Sequence, residues 1–529
     1  MPSDPAWKRD RDLAERSRYL SQAVPSLRLA LRRPSALVLA WEWWWGLPFA
    51  AIVGLGTALY YVVAPDNTRP LFDDSFISLT FARNLAEHYK LSFDGVDWST
   101  GATSPLHVFV LAVLLKLGVE PIFASLAVGV AGSALLAASV YLLAWSIFRS
   151  RLAAVLGAFA ISFAPYVALD AGNGLETTLF MSLVALSFGS YLLWQGERGR
   201  ALTGAIMALA VLTRPEGAFL IPAVVIYRWL DRPNGERLPQ YAREAVLLAA
   251  PAVAVLGLMT LYSLALNGTL TGTASAKLRF FQEDLVPFRE KINITADGLG
   301  LFIAPAITLA ALALPAVRRK EVLLFALFWV PVVVAYCLLF PGGLRHYFYR
   351  YQHPVLPLLA ALAAGGAAQL IQLALTREAV VKLLVAAALV VAVVPIWQEY
   401  ERWRDVYAQA SAETLNDLEA MAKDLNQIIK PNEVLATHDI GAVGFYGDFS
   451  VLDLVGLVNK KVIDYHDGRR VAGYVEGSNP DYLLIFPSWD LYFLLIFPDS
   501  HPDRFQLVKV YPGGPIRGEP YLLYRVLDR

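Results

Sequence analysis

The chain has 529 residues, 57% of them apolar and 17% charged, with a mean hydropathy of +0.48 and 45 Lys+Arg balancing 45 Asp+Glu. Long apolar runs at this composition exclude a soluble globular domain and a disordered chain, the neutral balance argues against a nucleic-acid binder, and a single cysteine, Cys337, excludes a disulfide scaffold. The expected class is a polytopic α-helical membrane protein.

In chain order, residues 1–45 read as a basic cytoplasmic tail. Met1–Arg33 carries eight Lys/Arg against four Asp/Glu. No small-residue cleavage site follows an early apolar core, so no removable signal peptide is expected. Apolar runs of about 20 residues then predict eleven crossings. The first, 46–64, is entered through Trp43, Trp44 and Trp45, an interfacial aromatic belt. A long loop, 65–120, follows, in which 105–118 is apolar but too short to span and is placed in the outer interface. Spans two to six fall at 121–148, 152–169, 176–194, 201–213 and 216–230. Spans seven to eleven fall at 243–266, 298–317, 322–340, 354–375 and 379–397. Arg149, Arg151, Arg198, Arg200, Arg318, Arg319, Lys320, Arg377 and Lys382 occupy alternate turns, which the positive-inside rule puts in the cytoplasm.

An odd number of crossings delivers 398–529 to the outside. From Glu399 onward thirteen Lys/Arg face twenty Asp/Glu. Helical periodicity over 413–429 precedes β-rich runs at 434–437, 451–454, 482–486, 505–510 and 521–526, which predict a small extracytoplasmic α/β domain. Two outer loops break the charge rule. Lys277, Arg279, Arg289 and Lys291 lie in 267–297, and Arg345 and Arg350 in 341–353. Either the topology slips there or these cations serve an external anion.

The first outer loop reads Leu71-Phe72-Asp73-Asp74-Ser75-Phe76. A helix is predicted from Ser75 to His88, with Thr80, Arg83, Asn84 and Glu87 on its polar face and Ile77, Phe81 and Leu85 toward the membrane. The paired carboxylates either cap this helix or carry chemistry. Asp73-Asp74, Arg83-Asn84-Leu85-Ala86 and Gly101-Ala102-Thr103-Ser104-Pro105-Leu106 together resemble the first periplasmic loop of GT-C glycosyltransferases. Their spacing is most similar to the polyprenyl-phosphate-sugar-dependent arabinofuranosyltransferases of the terminal β-1,2 type. Further matches follow at Gly174-Leu175-Glu176-Thr177, at 212–217 around Arg214, at 273–277 ending on Lys277, and at Arg350-Tyr351-Gln352-His353-Pro354. The C-terminal segment adds 439–446 and 453–457, so the resemblance runs in order over residues 70–460. Asp94-Gly95 and Trp98 depart from it, standing where relatives often have Asn-Pro and a glycine-rich stretch.

The resemblance implies a GT-C-like catalytic membrane domain over 46–397. It would move a sugar, arabinofuranose first, from a polyprenyl-phosphate donor to an extracytoplasmic glycan or lipid-linked acceptor at a bacterial plasma membrane. The chemistry asks for a base and for cations beside the departing phosphate. Asp73 is the preferred base with Asp74 in support, and the reverse stays open. Lys277, Arg345, His346 and Arg350 are the phosphate candidates, unless they snorkel to lipid headgroups. Arg214, between two short helices, is either salt-bridged to Glu216 or directed into a cavity, where it too would meet phosphate. Arg83, Asn84 and Glu176 are candidates for sugar or acceptor binding, with a helix-terminal carboxylate as the competing account of Glu176.

No cofactor is expected to be required, with a divalent cation left open. Histidine and cysteine spacing gives no zinc site, and a divalent ion on Asp73 and Asp74 would need oxygen ligands alone. Trp489, Tyr492 and Phe493 form either a sugar-stacking surface or core. The alternative class is a non-enzymatic lipid or solute transporter, in which charged short helices would mark a translocation path. An aspartate pair outside the membrane is less expected there.

Overall fold

Helices stand at every predicted crossing in the computed structural model, which describes residues 45–63, 68–70, 72–233, 235–270, 280–281, 285–458, 460–466, 470–514 and 518–527. The basic tail, apart from Trp45, and Lys277 lie outside the described residues. From the first crossing the order is α1 (Gly46–Val62), α2 (Asp73–His88), α3 (Pro105–Lys116), α4 (Pro121–Phe148), α5 (Arg151–Ser162), α6 (Val167–Gly172), α7 (Thr177–Leu193) and α8 (Gly196–Thr213). Then come α9 (Leu220–Leu230), α10 (Leu238–Asn267), α11 (Phe288–Ile303), α12 (Ile307–Ala313), α13 (Glu321–Leu339), α14 (Leu356–Leu375) and α15 (Ala379–Glu413). Local chemistry sets several ends. Glu120 caps α4 by accepting from the N–H of Phe123, Pro121 occupies its first turn, and Ser150 caps α5.

Among the described residues five helices are long and apolar enough to cross a membrane, and six if Phe288–Ile303 and Ile307–Ala316, bent by 84°, count as one span. At other predicted crossings the helices are shorter, as at Gly46–Val62, Arg151–Ser162 and Thr177–Leu193. Burial sorts these helices. In its most apolar stretch α4 is 72% buried, and it is packed on α1, α5 and α7, whereas α10 is 11% buried and α15 with its continuation 6%. Leu383, Val390 and Val391 of α15 are exposed. A contiguous apolar surface of that extent is stable against hydrocarbon rather than water.

No break separates the membrane body from the C-terminal domain. The boundary expected at 398 falls inside α15, which continues through a π turn (Thr414–Glu419) into α16 (Ala420–Ile428). There follow β1 (Val434–Thr437), α17 (Gly441–Tyr446), β2 (Ser450–Asp453), α18 (Val471–Ser478), β3 (Tyr482–Ile485), β4 (Phe505–Tyr511) and β5 (Tyr521–Val526). All five strands lie within one residue of their predicted limits. The sheet order is β2-β1-β3-β5-β4, with β1 parallel to β2 and β3, and β5 antiparallel to β3 and β4. The loops leaving β1 and β2 meet the membrane body: Gly441 touches Asp73, and Val458 accepts from the Ser99 hydroxyl.

One local expectation is corrected. α2 begins two residues before Ser75; on its polar face Thr80 and Asn84 are buried while Glu87 stays exposed, and Ile77 and Phe81 line a cavity rather than facing lipid. Phe76 packs on Phe445 and Tyr446 of α17, joining the two halves in one core.

Candidate active site

The first turn of α2 separates its two carboxylates. Phe72 is extended (φ −121°, ψ 145°) and starts the helix without a side-chain cap, leaving Asp73 and Asp74 in the first turn, where the helix dipole favours negative charge. Successive helical residues point about 100° apart. Asp73 accepts from the backbone N–H groups of Gly441 (2.6 Å) and Ala442 (2.8 Å) at the start of α17. Asp74 instead lines a cavity of about 350 Å³. Glycine is needed at 441 because a Cβ there would overlap the backbone of Asp73. Gly441→Ala should therefore lower stability by about 1–3 kcal/mol, the usual cost of overpacking. An unchanged thermal midpoint in detergent would show that α17 is not tied to α2.

The same docking occupies Arg83, and the outer loop occupies Asn84. Arg83 donates to the carbonyl of Phe445 (2.8 Å) and stacks over its ring, and Asn84 donates to the carbonyls of Ser92 and Phe93. Neither lines the cavity: Arg83 is taken by the C-terminal domain and Asn84 by the outer loop. A second strap joins Arg69 to Glu419 at 2.7 Å. Burial raises the Glu419 carboxyl, but the hydrogen bonds from Arg69 and Lys423 outweigh it and hold the group below its usual range.

The opposite wall comes from the turn before α7. Asn173 Oδ1 accepts from the N–H of Leu175, and Gly174 takes φ +77°, where a Cβ would strike Pro70 and Ser75. This close approach brings Glu176 to the cavity opposite Asp74. Arg214 is extended (φ −154°), as the following Pro215 favours, and sits between α8 and a 3₁₀ turn. Its guanidinium donates to Glu176 (2.8 Å) and to both oxygens of Glu216 (2.7 and 3.3 Å), while the Tyr336 hydroxyl also donates to Glu216. Both readings of Arg214 hold at once: it is paired with Glu216 and it lines the cavity. Flanked by two carboxylates, it brings no surplus positive charge to a phosphate.

The third wall is the loop after α13. Arg345 pairs with Asp297 at the exposed edge, and His346 packs on Tyr347 with ring centroids 4.0 Å apart; neither lines the cavity. Arg350 does, and it is only 7% exposed. Its Nη2 lies 3.9 Å from Asp74 Oδ2 and 3.3 Å from the Tyr351 hydroxyl, and the rings of Tyr347 and Tyr351 flank it. Nε and Nη1 are buried without a hydrogen-bond partner. Leaving such donors unmade costs about 1–3 kcal/mol each, so the arrangement suits an anionic ligand.

Sequence reasoning missed three features here. Tyr336 lies in an apolar run with no local signal. Tyr347, Phe348 and Tyr349 are all left-handed (φ 46°, 55° and 66°), at about 1–2 kcal/mol each for L-residues. Behind them, His353 and Asp170 form a buried pair at 2.6 Å. Trp489 and Phe493 belong to an aromatic cluster with Phe280 and Phe281, whereas Tyr492 is exposed. His438 is enclosed beside Trp489, and burial pushes its imidazole below the usual range. Among the described residues no three His, Cys, Asp or Glu side chains gather as metal ligands. Among the described residues that line the cavity, Arg214 pairs with Glu176 and Glu216, and Asp74 is the third carboxylate.

Residues 402–524 match a family model described as a domain of unknown function (DUF8728). Among curated proteins no sequence matches the chain. Three solved structures of an oligosaccharyltransferase from Archaeoglobus fulgidus are similar in fold. The form tethered to an acceptor peptide containing the NVT sequon is 13% identical over 91% of this chain and 74% of that one, with a TM-score of 0.54. The complex of this enzyme, AglB, with an inhibitory peptide and a dolichol-phosphate is 12% identical over 91% and 74%, with a TM-score of 0.56. The apo form is 12% identical over 93% and 74%, with a TM-score of 0.56. The chain thus has a fold like that of this oligosaccharyltransferase, a helical body with a small sheet domain.

Proposed function

We propose that the chain is a membrane glycosyltransferase that moves a sugar from a polyprenyl-phosphate donor to a hydroxyl group of an extracytoplasmic glycan or lipid-linked acceptor. The observation that carries this reading is the meeting, in one cavity, of Asp74 with a buried Arg350 guanidinium that keeps two nitrogens, Nε and Nη1, without an acceptor. Asp74 takes the proton of the acceptor hydroxyl as its oxygen attacks the anomeric carbon. The bond from that carbon to the phosphate oxygen breaks, its electron pair leaves with the phosphate, and Arg350 stabilises the charge that develops. A lipid phosphate leaves readily, so the second acid of glycoside hydrolysis is not needed. Glu176, fixed by Arg214, offers acceptor oxygens to sugar hydroxyls. Ile77, Phe81, Phe219, Leu339 and Phe340 give the cavity an apolar side suited to the first isoprene units. A similar fold solved with dolichol-phosphate supports the donor class.

Purified protein incubated with a panel of polyprenyl-phosphate sugars should release free polyprenyl phosphate, with arabinofuranose the first expected substrate. Turnover should persist in EDTA, since Arg350 supplies the positive charge; loss on chelation would place a divalent ion on Asp74. Lipid translocation without release of polyprenyl phosphate from any donor would favour the transporter reading instead.

The proposal needs eleven crossings, a cytoplasmic N-terminus, and Asp74, Arg350 and the domain after 398 outside, in a bacterial plasma membrane. Single cysteines in a Cys337→Ala background test this with a membrane-impermeant thiol reagent. Asp97→Cys and Ser450→Cys, at exposed positions, should label in intact cells, and Arg198→Cys should label after permeabilisation alone. The opposite pattern would overturn both the topology and the outward-facing transferase.

A further inference from the structure

The residue that faces the proposed phosphate hangs from an unusual piece of backbone. Three consecutive aromatic residues, Tyr347, Phe348 and Tyr349, take positive φ immediately before Arg350. Tertiary contacts must impose such a turn, because local preference opposes it for every bulky L-residue. Gln352 supplies one clamp: its Nε2 donates to the carbonyls of Gly298 (3.0 Å) and Leu344 (2.7 Å). His353 supplies another. Its Nε2 lies 2.9 Å from the carbonyl of Phe348, the middle residue of the turn, and its Nδ1 lies 2.6 Å from Asp170 Oδ2.

The proton inventory of this pair follows from the partners. A carbonyl oxygen only accepts, so Nε2 carries hydrogen. One further proton lies on the axis between Nδ1 and Oδ2, as imidazolium facing carboxylate or imidazole facing carboxylic acid, and either form is neutral overall. The remaining oxygen of Asp170 accepts from Asn173 Nδ2 (3.0 Å), and Asn173 in turn receives the N–H of Leu175, next to Glu176. The His353 ring is stacked on Tyr166 (5.1 Å) and near Phe302 (6.0 Å), so its plane is fixed. Neither Asp170 nor His353 lines the cavity.

We propose that Asp170 and His353 are positioning residues for the donor phosphate: through the Phe348 carbonyl they hold the left-handed turn that aims the Arg350 guanidinium into the cavity beside Asp74. The inference rests on the transferase reading and adds to it a part for two residues remote from the reacting atoms. The Asp170–Asn173 bond also ties this turn to the segment bearing Glu176, so the phosphate side and the sugar side of the cavity share one support.

The test is a set of donor and acceptor kinetics on purified full-length protein. Asp170→Ala removes the partner of Nδ1, and His353→Phe keeps the ring while removing both donors. Each should raise the donor KM toward that of Arg350→Ala, by about 10²-fold, the cost of misplacing a group by about 1 Å. The acceptor KM should not move. Asp170→Asn should stay close to the parent protein, since its amide N–H can donate to an unprotonated Nδ1 while its oxygen still accepts from Asn173. Combining Asp170→Ala with Arg350→Ala should be no worse than Arg350→Ala alone, the non-additivity expected of residues acting through one another. If Arg350→Ala itself leaves donor kinetics unchanged, the transferase reading fails. If Arg350→Ala is impaired but Asp170→Ala and His353→Phe keep the parent donor KM, or their effects add to it, the positioning role is overturned. Should neither variant fold, as judged by thermal unfolding in detergent, the pair supports the whole fold rather than Arg350 and the inference is likewise lost.

Discussion

Asp74→Asn should leave the protein folded and lower transfer by about 10²- to 10⁴-fold, the range for loss of a positioned base. An amide cannot take the acceptor proton, yet it matches the carboxylate in shape and can still accept a hydrogen bond. Asp73→Asn should behave differently. Both Asp73 oxygens accept from backbone N–H groups of α17, so an amide would turn one NH₂ toward a donor and leave that N–H unsatisfied. Its expected signature is a lowered thermal midpoint with a modest loss of rate. Assaying the two variants side by side for turnover and unfolding separates the roles. A dead Asp73→Asn beside an Asp74→Asn of near-parental rate would reverse the assignment and return the base to the residue that the sequence favours.

That reversal illustrates what a sequence can carry. Asp73-Asp74 is conspicuous as a pair, but which member faces the cavity depends on α17, whose Gly441 lies 368 positions away along the chain. Nothing local encodes that choice. Arg83 shows the same limit: amphipathic periodicity finds its face and cannot say that Phe445 of a later domain will dock there. Arg214 and Glu216 were legible as an ion pair because they are two residues apart, whereas Glu176, 38 positions distant, enters through packing of the Gly174 turn. Helices and strands fared better. The apolar runs and the β-rich runs of 434–437 and 521–526 are local properties, and the structure follows them closely. The left-handed turn at 347–349 lies at the other extreme, since no propensity assigns positive φ to three aromatic residues.

The electrostatics of the cavity follow from these non-local pairings. Glu176 and Glu216 fix Arg214, while Asp74 and Arg350 stand at 3.9 Å, too far apart for a direct hydrogen bond. A buried cation held by two carboxylates is a rigid wall. A buried cation with two nitrogens that have no hydrogen-bond partner is suited to receive an anion. The two arginines therefore differ in what their loss should do, although both are buried and both line the same space.

Arg350→Ala should cut kcat/KM for the lipid-phosphate donor by about 10²- to 10³-fold, comparable to removing a preorganised donor from a developing anion. The effect should fall mainly on donor terms, because Nε and Nη1 have no protein partner to strand and Nη2 gives up one hydrogen bond to the Tyr351 hydroxyl and a 3.9 Å contact with Asp74. Arg350→Lys should recover part of the rate: the charge returns, but not the planar fork that can span two phosphate oxygens. Arg214→Ala should do the reverse. It would strand Glu176 and Glu216 as buried unpaired carboxylates, which costs about 3–5 kcal/mol and should appear as unfolding at lower temperature. Thermal unfolding and donor kinetics measured on all three variants check the distinction. Equal losses of stability for Arg350→Ala and Arg214→Ala, with unaltered donor kinetics in Arg350→Ala, would make Arg350 a structural group and leave the cavity without a phosphate site.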